Sequence, residues 1–288
     1  MLGIIGIVVT FAMVFGGYIA AGGKMSIILH SLPFEMMMIG GAAVGAFLLG
    51  NKGDVVKGAL KGMGKAFKGP KWKAQDYKDL LLLMFGILKL VRTKGMIVLE
   101  QHIENPEQSS IFQQYPKIMH DHFAVEFICD TLRMMTMNFD DPHQVEDVME
   151  KQLEKHHHEL HGNSHAIQSM ADAMPALGIV AAVLGVIKTM ASINKPVEIL
   201  GAMIGGALTG TFLGVFLAYG FIGPIAGKMG QSYDEEHKFY EIIRAILISH
   251  LNGNAPQISA EIGRTNVPTK YQPSFREMEE LQANVNFS

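Results

Sequence analysis

The sequence predicts an all-α polytopic membrane protein, with four transmembrane helices and a helical cytoplasmic domain between the second and the third. Three observations lead there. The 288-residue chain has a mean hydropathy of +0.21 and only 18% charged residues, too apolar for an ordinary soluble domain. Its charge is missing from four windows and crowded between them. No strand period or internal repeat stands out, whereas apolar residues recur at helical spacing in the charged regions.

The first window, 1–23, carries no charged residue. About 20 apolar residues suffice to cross a bilayer core, and without a basic leading region the segment does not read as a secretory signal. The second span, 34–51, is shorter, with its apolar stretch Met36–Gly50 flanked by Glu35 and Lys52. The third, 173–193, is interrupted only by Lys188, and the fourth, 199–227, has no charge at all. Lys52, Lys57, Lys61, Lys65, Lys68, Lys71 and Lys73 follow the second span and mark that side as cytoplasmic. Both termini then lie in the cytoplasm, 52–172 is a cytoplasmic helical domain, and 228–288 is a cytoplasmic helix followed by a flexible tail.

Within the cytoplasmic mass, Asp54 to Lys68 places Val55, Val56, Ala59, Leu60, Met63, Ala66 and Phe67 on one helical face, with lysines opposite. Membrane lipids with anionic headgroups suit such a helix. A phosphate loop does not fit, because Gly64-Lys65 runs into Ala66. A long helix is expected from Gln75 to Glu104, ending at Asn105-Pro106, and another over His120 to Met137. Asp141-Pro142 signals the start of a third, running through Leu160. Tyr233 to Leu251 reads as a final amphipathic helix, after which Pro256, Pro268 and Pro273 suggest loose chain.

The chemistry is defined by what the spans lack. Within the four uncharged or nearly uncharged apolar stretches, the second taken as Met36–Gly50, no Asp or Glu occurs, although ion pathways normally need an intramembrane carboxylate. Lys188 stands near the outer end, where it can snorkel to the headgroups. The chain therefore carries no ion alone, or a partner supplies the acid. Overlapping GxxxG steps at Gly201/Gly205, Gly206/Gly210 and Gly210/Gly214 allow close helix approach, equally within the chain or between chains. The string His156, His157, His158, His161 and His165 reads as a solvated juxtamembrane face, with no metal site. Cys129, alone, excludes a disulfide scaffold. No nucleophile–base arrangement survives inspection, so the chain is expected to be no enzyme, with no catalytic residue, no cofactor and no nucleic-acid partner.

Asp172-Ala173-Met174-Pro175-Ala176-Leu177-Gly178-Ile179-Val180, together with Gly210-Thr211-Phe212-Leu213-Gly214 and Tyr219-Gly220-Phe221-Ile222-Gly223-Pro224-Ile225-Ala226, resembles the signature spans of the MotA family of flagellar stator subunits. The order of elements also matches over nearly the whole chain. The resemblance implies a stator subunit of the bacterial inner membrane that forms an ion channel and drives flagellar rotation. It implies that Thr211 faces an aspartate supplied by a stator B subunit, and that Pro175 and Pro224 couple ion flow to conformational change. It further implies that Arg92 and Glu100, on one cytoplasmic helix, engage the rotor switch protein of the flagellar C-ring. The assembly implied is a homo-oligomer, a ring of five such chains around two B subunits. Sodium-using relatives carry a threonine at the position of Ala182, so the transported ion here is expected to be the proton. The alternative is a TolQ/ExbB-type energiser of outer-membrane transport, but such chains have one span before the large loop.

Overall fold

The computed structural model describes residues 2–284, and among these it is built of helices and their connections. We label them α1 (Leu2–Ala20), α2 (Met25–Gly50), α3 (Gly53–Ala66), α4 (Ala74–Lys94), α5 (Met96–Glu104), α6 (His122–Thr136), α7 (Pro142–Met190), α8 (Val197–Leu251), α9 (Pro256–Thr265) and α10 (Phe275–Ala283). Helices α1, α2, α7 and α8 are each long and apolar enough to cross a membrane. The four-span expectation therefore holds, with changed boundaries.

Span two is the first correction. Helix α2 begins at Met25, nine residues before the expected 34, and runs unbroken through Pro33 and a π-helical turn at Met36–Gly40. Proline removes one helical donor, the one that would have bonded the Leu29 carbonyl, yet the helix continues past it. The last two spans are likewise parts of longer helices. Helix α7 has 49 residues and continues from Pro142 through Pro175 to Met190. Helix α8 has 55 residues, interrupted only by a π turn at Ala218–Ile222. Pro175 and Pro224 accordingly lie inside continuous helices, not at helix ends.

The chain divides into two compact units, Met1–Gly69 with Glu159–Ser232 and Pro70–His158 with Tyr233–Ser288. The expected cytoplasmic domain 52–172 thus gives up α3 and the stretch from Glu159 to the first unit. In that unit Ile39, Ala43, Met174, Ala181, Leu213 and Ala218 form a small core. Helix α1 buries no residue and meets α8 through its aromatic rings, Phe11 and Phe15 each standing 5.5 Å from Phe216. Such an apolar, unburied helix is stable only with lipid or protein against it.

The second unit is packed like a soluble domain. Leu80, Leu81, Leu83, Met84, Ile87 and Leu88 of α4 are fully buried among Phe127, Ile128, Leu132, Ile243 and Leu247. Trp72 stacks on Phe239 at 3.9 Å. The segment after Gly253, expected to be loose, instead carries two helices. Val267 and Met278 are 3% and 2% exposed, and Lys78 pairs with Glu277 at 2.5 Å. Its prolines mark helix starts and corners: Pro256 is the first residue of α9.

Candidate ion path and coupling site

Spans three and four approach each other backbone to backbone. A methyl group built on Gly178 would stand 2.8 Å from the Gly210 carbonyl oxygen, and one on Gly214 would stand 2.6 Å from the Met174 carbonyl oxygen. A methyl on Gly185 would meet Ala207 at 2.6 Å. Only glycine permits such contact. Most of the glycine steps noted in the sequence therefore serve packing within the chain. Gly201, which meets nothing within 4 Å, does not.

This hairpin carries four of the expected site residues. Ala182 and Thr211 are half-buried, and each directly follows a buried partner of the contact, Ala181 and Gly210. Thr10, Thr189 and Thr209 donate their hydroxyls to the carbonyls of Gly6, Gly185 and Gly205 on their own helices. Among the described residues the Thr211 hydroxyl makes no such bond. Pro175 is half-buried and follows Met174, whose carbonyl touches Gly214. Pro224 is exposed and follows the π turn of α8, where a methyl on Gly223 would stand 2.9 Å from the Ala218 carbonyl oxygen. The π turn widens the helix where proline lacks its donor.

The second correction concerns the missing acid. Glu35 lies ten residues into α2, about 15 Å from its N-terminal end at the usual helical rise, and so well inside a helix long enough to cross a membrane. It is 5% exposed, and its Oε2 has no hydrogen-bond partner. A methyl on Gly210 would stand 2.6 Å from that oxygen and 3.3 Å from the Ala181 methyl. The carboxyl thus sits where spans two, three and four meet, one residue along the chain from both Ala182 and Thr211. In the sequence Glu35 reads as a charge flanking the apolar stretch Met36–Gly50, although it falls within the expected span 34–51. The available signal was the apolar residues before it, Ile27, Ile28, Leu29, Leu32 and Phe34, which extend the helix outward.

The third correction concerns Arg92 and Glu100. Both are exposed, but they do not share a helix. Helix α4 stops at Lys94, and Gly95 adopts φ 81°, ψ 172° before α5 begins. That conformation is almost confined to glycine, so the chain changes direction between the two charges. The periodicity of Leu88, Val91 and Met96 concealed the break, because both helices keep an apolar face on the same core.

The histidines are not uniformly solvated. His158 and His165 are exposed, whereas His156 stacks on Phe123 at 3.6 Å, and burial lowers its pKa to about 4. His157 meets Asp234 at 3.0 Å. Nearby, Asp121 is held by Lys71 at 2.5 Å and accepts from the Tyr240 hydroxyl at 2.9 Å and the Ala124 N–H at 3.1 Å.

Residues 4–95 match the family described as Motility protein A N-terminal, and residues 119–242 match the MotA/TolQ/ExbB proton channel family. The motility protein A of Salmonella typhimurium is 40% identical over 280 residues, covering 97% of this chain and 94% of that one. The C. jejuni MotAB structure superposes with a TM-score of 0.72 at 21% identity, over 93% of this chain and 95% of the other. The flagellar MotAB stator complex from Bacillus subtilis does so with 0.71 at 21%, over 94% and 98%. With a close relative along nearly its whole length and both family regions in order, the chain belongs to the motility protein A family, within the MotA/TolQ/ExbB proton channel family.

Proposed function

We propose that this chain is a stator subunit of the bacterial flagellar motor, forming with a B subunit a proton channel whose flow drives the rotor. The observation that carries this reading is the 40% identity to a motility protein A along 97% of the chain. The N-terminal family match spans both helices that precede the cytoplasmic unit, which favours a stator over a TolQ/ExbB-type energiser. The solved complexes of this fold are MotAB assemblies, which supports a B-subunit partner in an oligomeric channel.

The finer assignments follow from residue chemistry. The unengaged Thr211 hydroxyl can donate to a carboxylate presented by the B subunit. Ala182 offers no oxygen ligand, and sodium needs several at short range, whereas a proton needs only a carboxyl group and water. Pro175 and Pro224 weaken their helices next to the tight span-three/span-four contact, where a change in ion occupancy can be turned into a bend. The exposed charges Arg92 and Glu100 face outward for the rotor switch protein. A ring of five chains around two B subunits, in the bacterial inner membrane, fits this division of labour. The lysines of α3 are exposed, which supports a cytoplasmic location for that side and for both termini.

The test uses cells in which this chain is the only stator A subunit. Rotation should persist when sodium in the medium is replaced by potassium at fixed proton-motive force, and Thr211→Val should abolish it without reducing the membrane level of the chain. Rotation lost on removing sodium would overturn the proton assignment. Full rotation with Thr211→Val would overturn the role of Thr211.

A further inference from the structure

Helices α2 and α8 meet through two matched pairs. Ser31 and Glu35 are one turn apart on α2, and Gly206 and Gly210 are one turn apart on α8. A methyl on Gly206 would stand 2.8 Å from the Ser31 Oγ, and one on Gly210 would stand 2.6 Å from the Glu35 Oε2. The two glycines thus form a cradle that a Cβ would fill, and each holds a polar side chain of the opposite helix. Ser31 donates to the Ile27 carbonyl at 3.0 Å, so its lone pairs stay available. The Glu35 carboxyl has no partner on Oε2.

Beside this cradle lies a cavity of about 530 Å³. Its polar lining consists of His30, Ser31, Glu35, Lys188 and Thr189. His30 and Lys188 are exposed, and Glu35 is buried. Along α2, His30 stands about 8 Å and Glu35 about 15 Å from the helix end at Met25. Lys188 stands near the corresponding end of span three, which finishes at Met190. Polar groups therefore descend from the end of the bundle to an unpartnered acid at mid-membrane, beside a space large enough for several water molecules. A buried acid used only for packing would have its oxygens satisfied by the protein.

We propose that Glu35 is a proton-loading residue of this chain, taking protons from the outer face through that cavity and passing them toward the B subunit's acid. In the loading step a hydronium in the cavity gives its proton to Oε2, forming the carboxyl O–H and leaving water. In the release step that O–H breaks, the proton moves toward the Thr211 face, and Glu35 returns to its carboxylate. No redox partner or leaving group is involved. The proposal rests on the proton-channel reading above. It deepens that reading by giving this chain an acid of its own, upstream of the one its partner supplies.

The test replaces Glu35 with Gln and with Asp in cells where this chain is the only stator A subunit, and reads rotation speed of tethered cells against external pH at fixed proton-motive force. Membrane levels of both subunits are measured alongside. Glu35→Gln keeps size and hydrogen bonding but cannot cycle a proton, so speed should fall by about tenfold or more at normal subunit levels, given what a positioned proton carrier contributes. Glu35→Asp should restore rotation with its speed–pH profile displaced. Glu35→Gln rotating like the unsubstituted chain would overturn the proposal while leaving the channel reading intact. If Glu35→Gln fails to accumulate, Glu35→Asp decides, and an undisplaced pH profile overturns the proposal. Cells that rotate equally well without this chain would overturn the channel reading itself.

Discussion

His156 and Asp121 respond to acid for opposite reasons. Burial holds the His156 pKa at about 4, below its ordinary value of 6.5, so the folded chain binds fewer protons there than the unfolded one. Stability should therefore decline as pH falls from about 6.5 toward 4, and recover above. Burial alone would raise the Asp121 pKa, but the Lys71 ammonium and the N–H and O–H donors around its carboxylate bring it below the ordinary carboxylate range. Its contribution is present above that range and is lost as pH falls through the lowered value. Two outcomes are expected in thermal melts of the full chain in detergent. His156→Phe should flatten the decline between pH 6.5 and 4. Asp121→Asn should cost about 3 kcal/mol at neutral pH, the lower end for a broken buried pair, because Lys71 remains partly exposed. The Asn variant should also lose the acid-range decline that belongs to Asp121.

At the scale of elements, two glycines decide how helices lie. Gly214 lets span four touch the Met174 carbonyl, and a side chain there would push against backbone that cannot rotate away. Gly214→Ala should cost about 1–3 kcal/mol, the usual range for overpacking, seen as lower melting temperature and lower yield of assembled complex. Gly95 turns the chain between α4 and α5 through a conformation few other residues adopt. Gly95→Ala should cost about 1–3 kcal/mol and redirect α5, which carries Glu100. Swimming should slow even though neither Arg92 nor Glu100 has been changed. Were the two charges on one continuous helix, as their spacing suggests, the same substitution would be stabilising, since alanine is the better helix former.

At the scale of the whole molecule, the segment from Pro256 onward belongs to the core of the second unit. Truncation after Asn254 would uncover surface that Val267, Tyr271 and Met278 now cover, including the Tyr77 ring stacked on Tyr271 at 5.5 Å. The truncated chain should be digested by protease faster than the full chain in membrane preparations, with cleavage between Pro70 and His158. An unchanged digestion rate would mean that α9 and α10 add nothing to the unit.

Hydropathy fixed the number of spans, because the bilayer acts on each window of about 20 residues separately and the cost of a charge is local. The signature residues around Pro175, Thr211 and Pro224 were legible for a similar reason, since each motif lies within one stretch of chain. Three features were not legible, and each depends on contacts between segments far apart in sequence. Glu35 counted as a flanking charge until α8 brought Gly210 against it. The break at Gly95 was hidden because α4 and α5 share one core. The proline-rich tail read as loose because what holds it is the apolar surface of α4. Local sums of transfer energy and helix period determine where helices form and which ones cross. Which side chains are buried together is set by pairwise packing across the chain, and only the tertiary structure decided that.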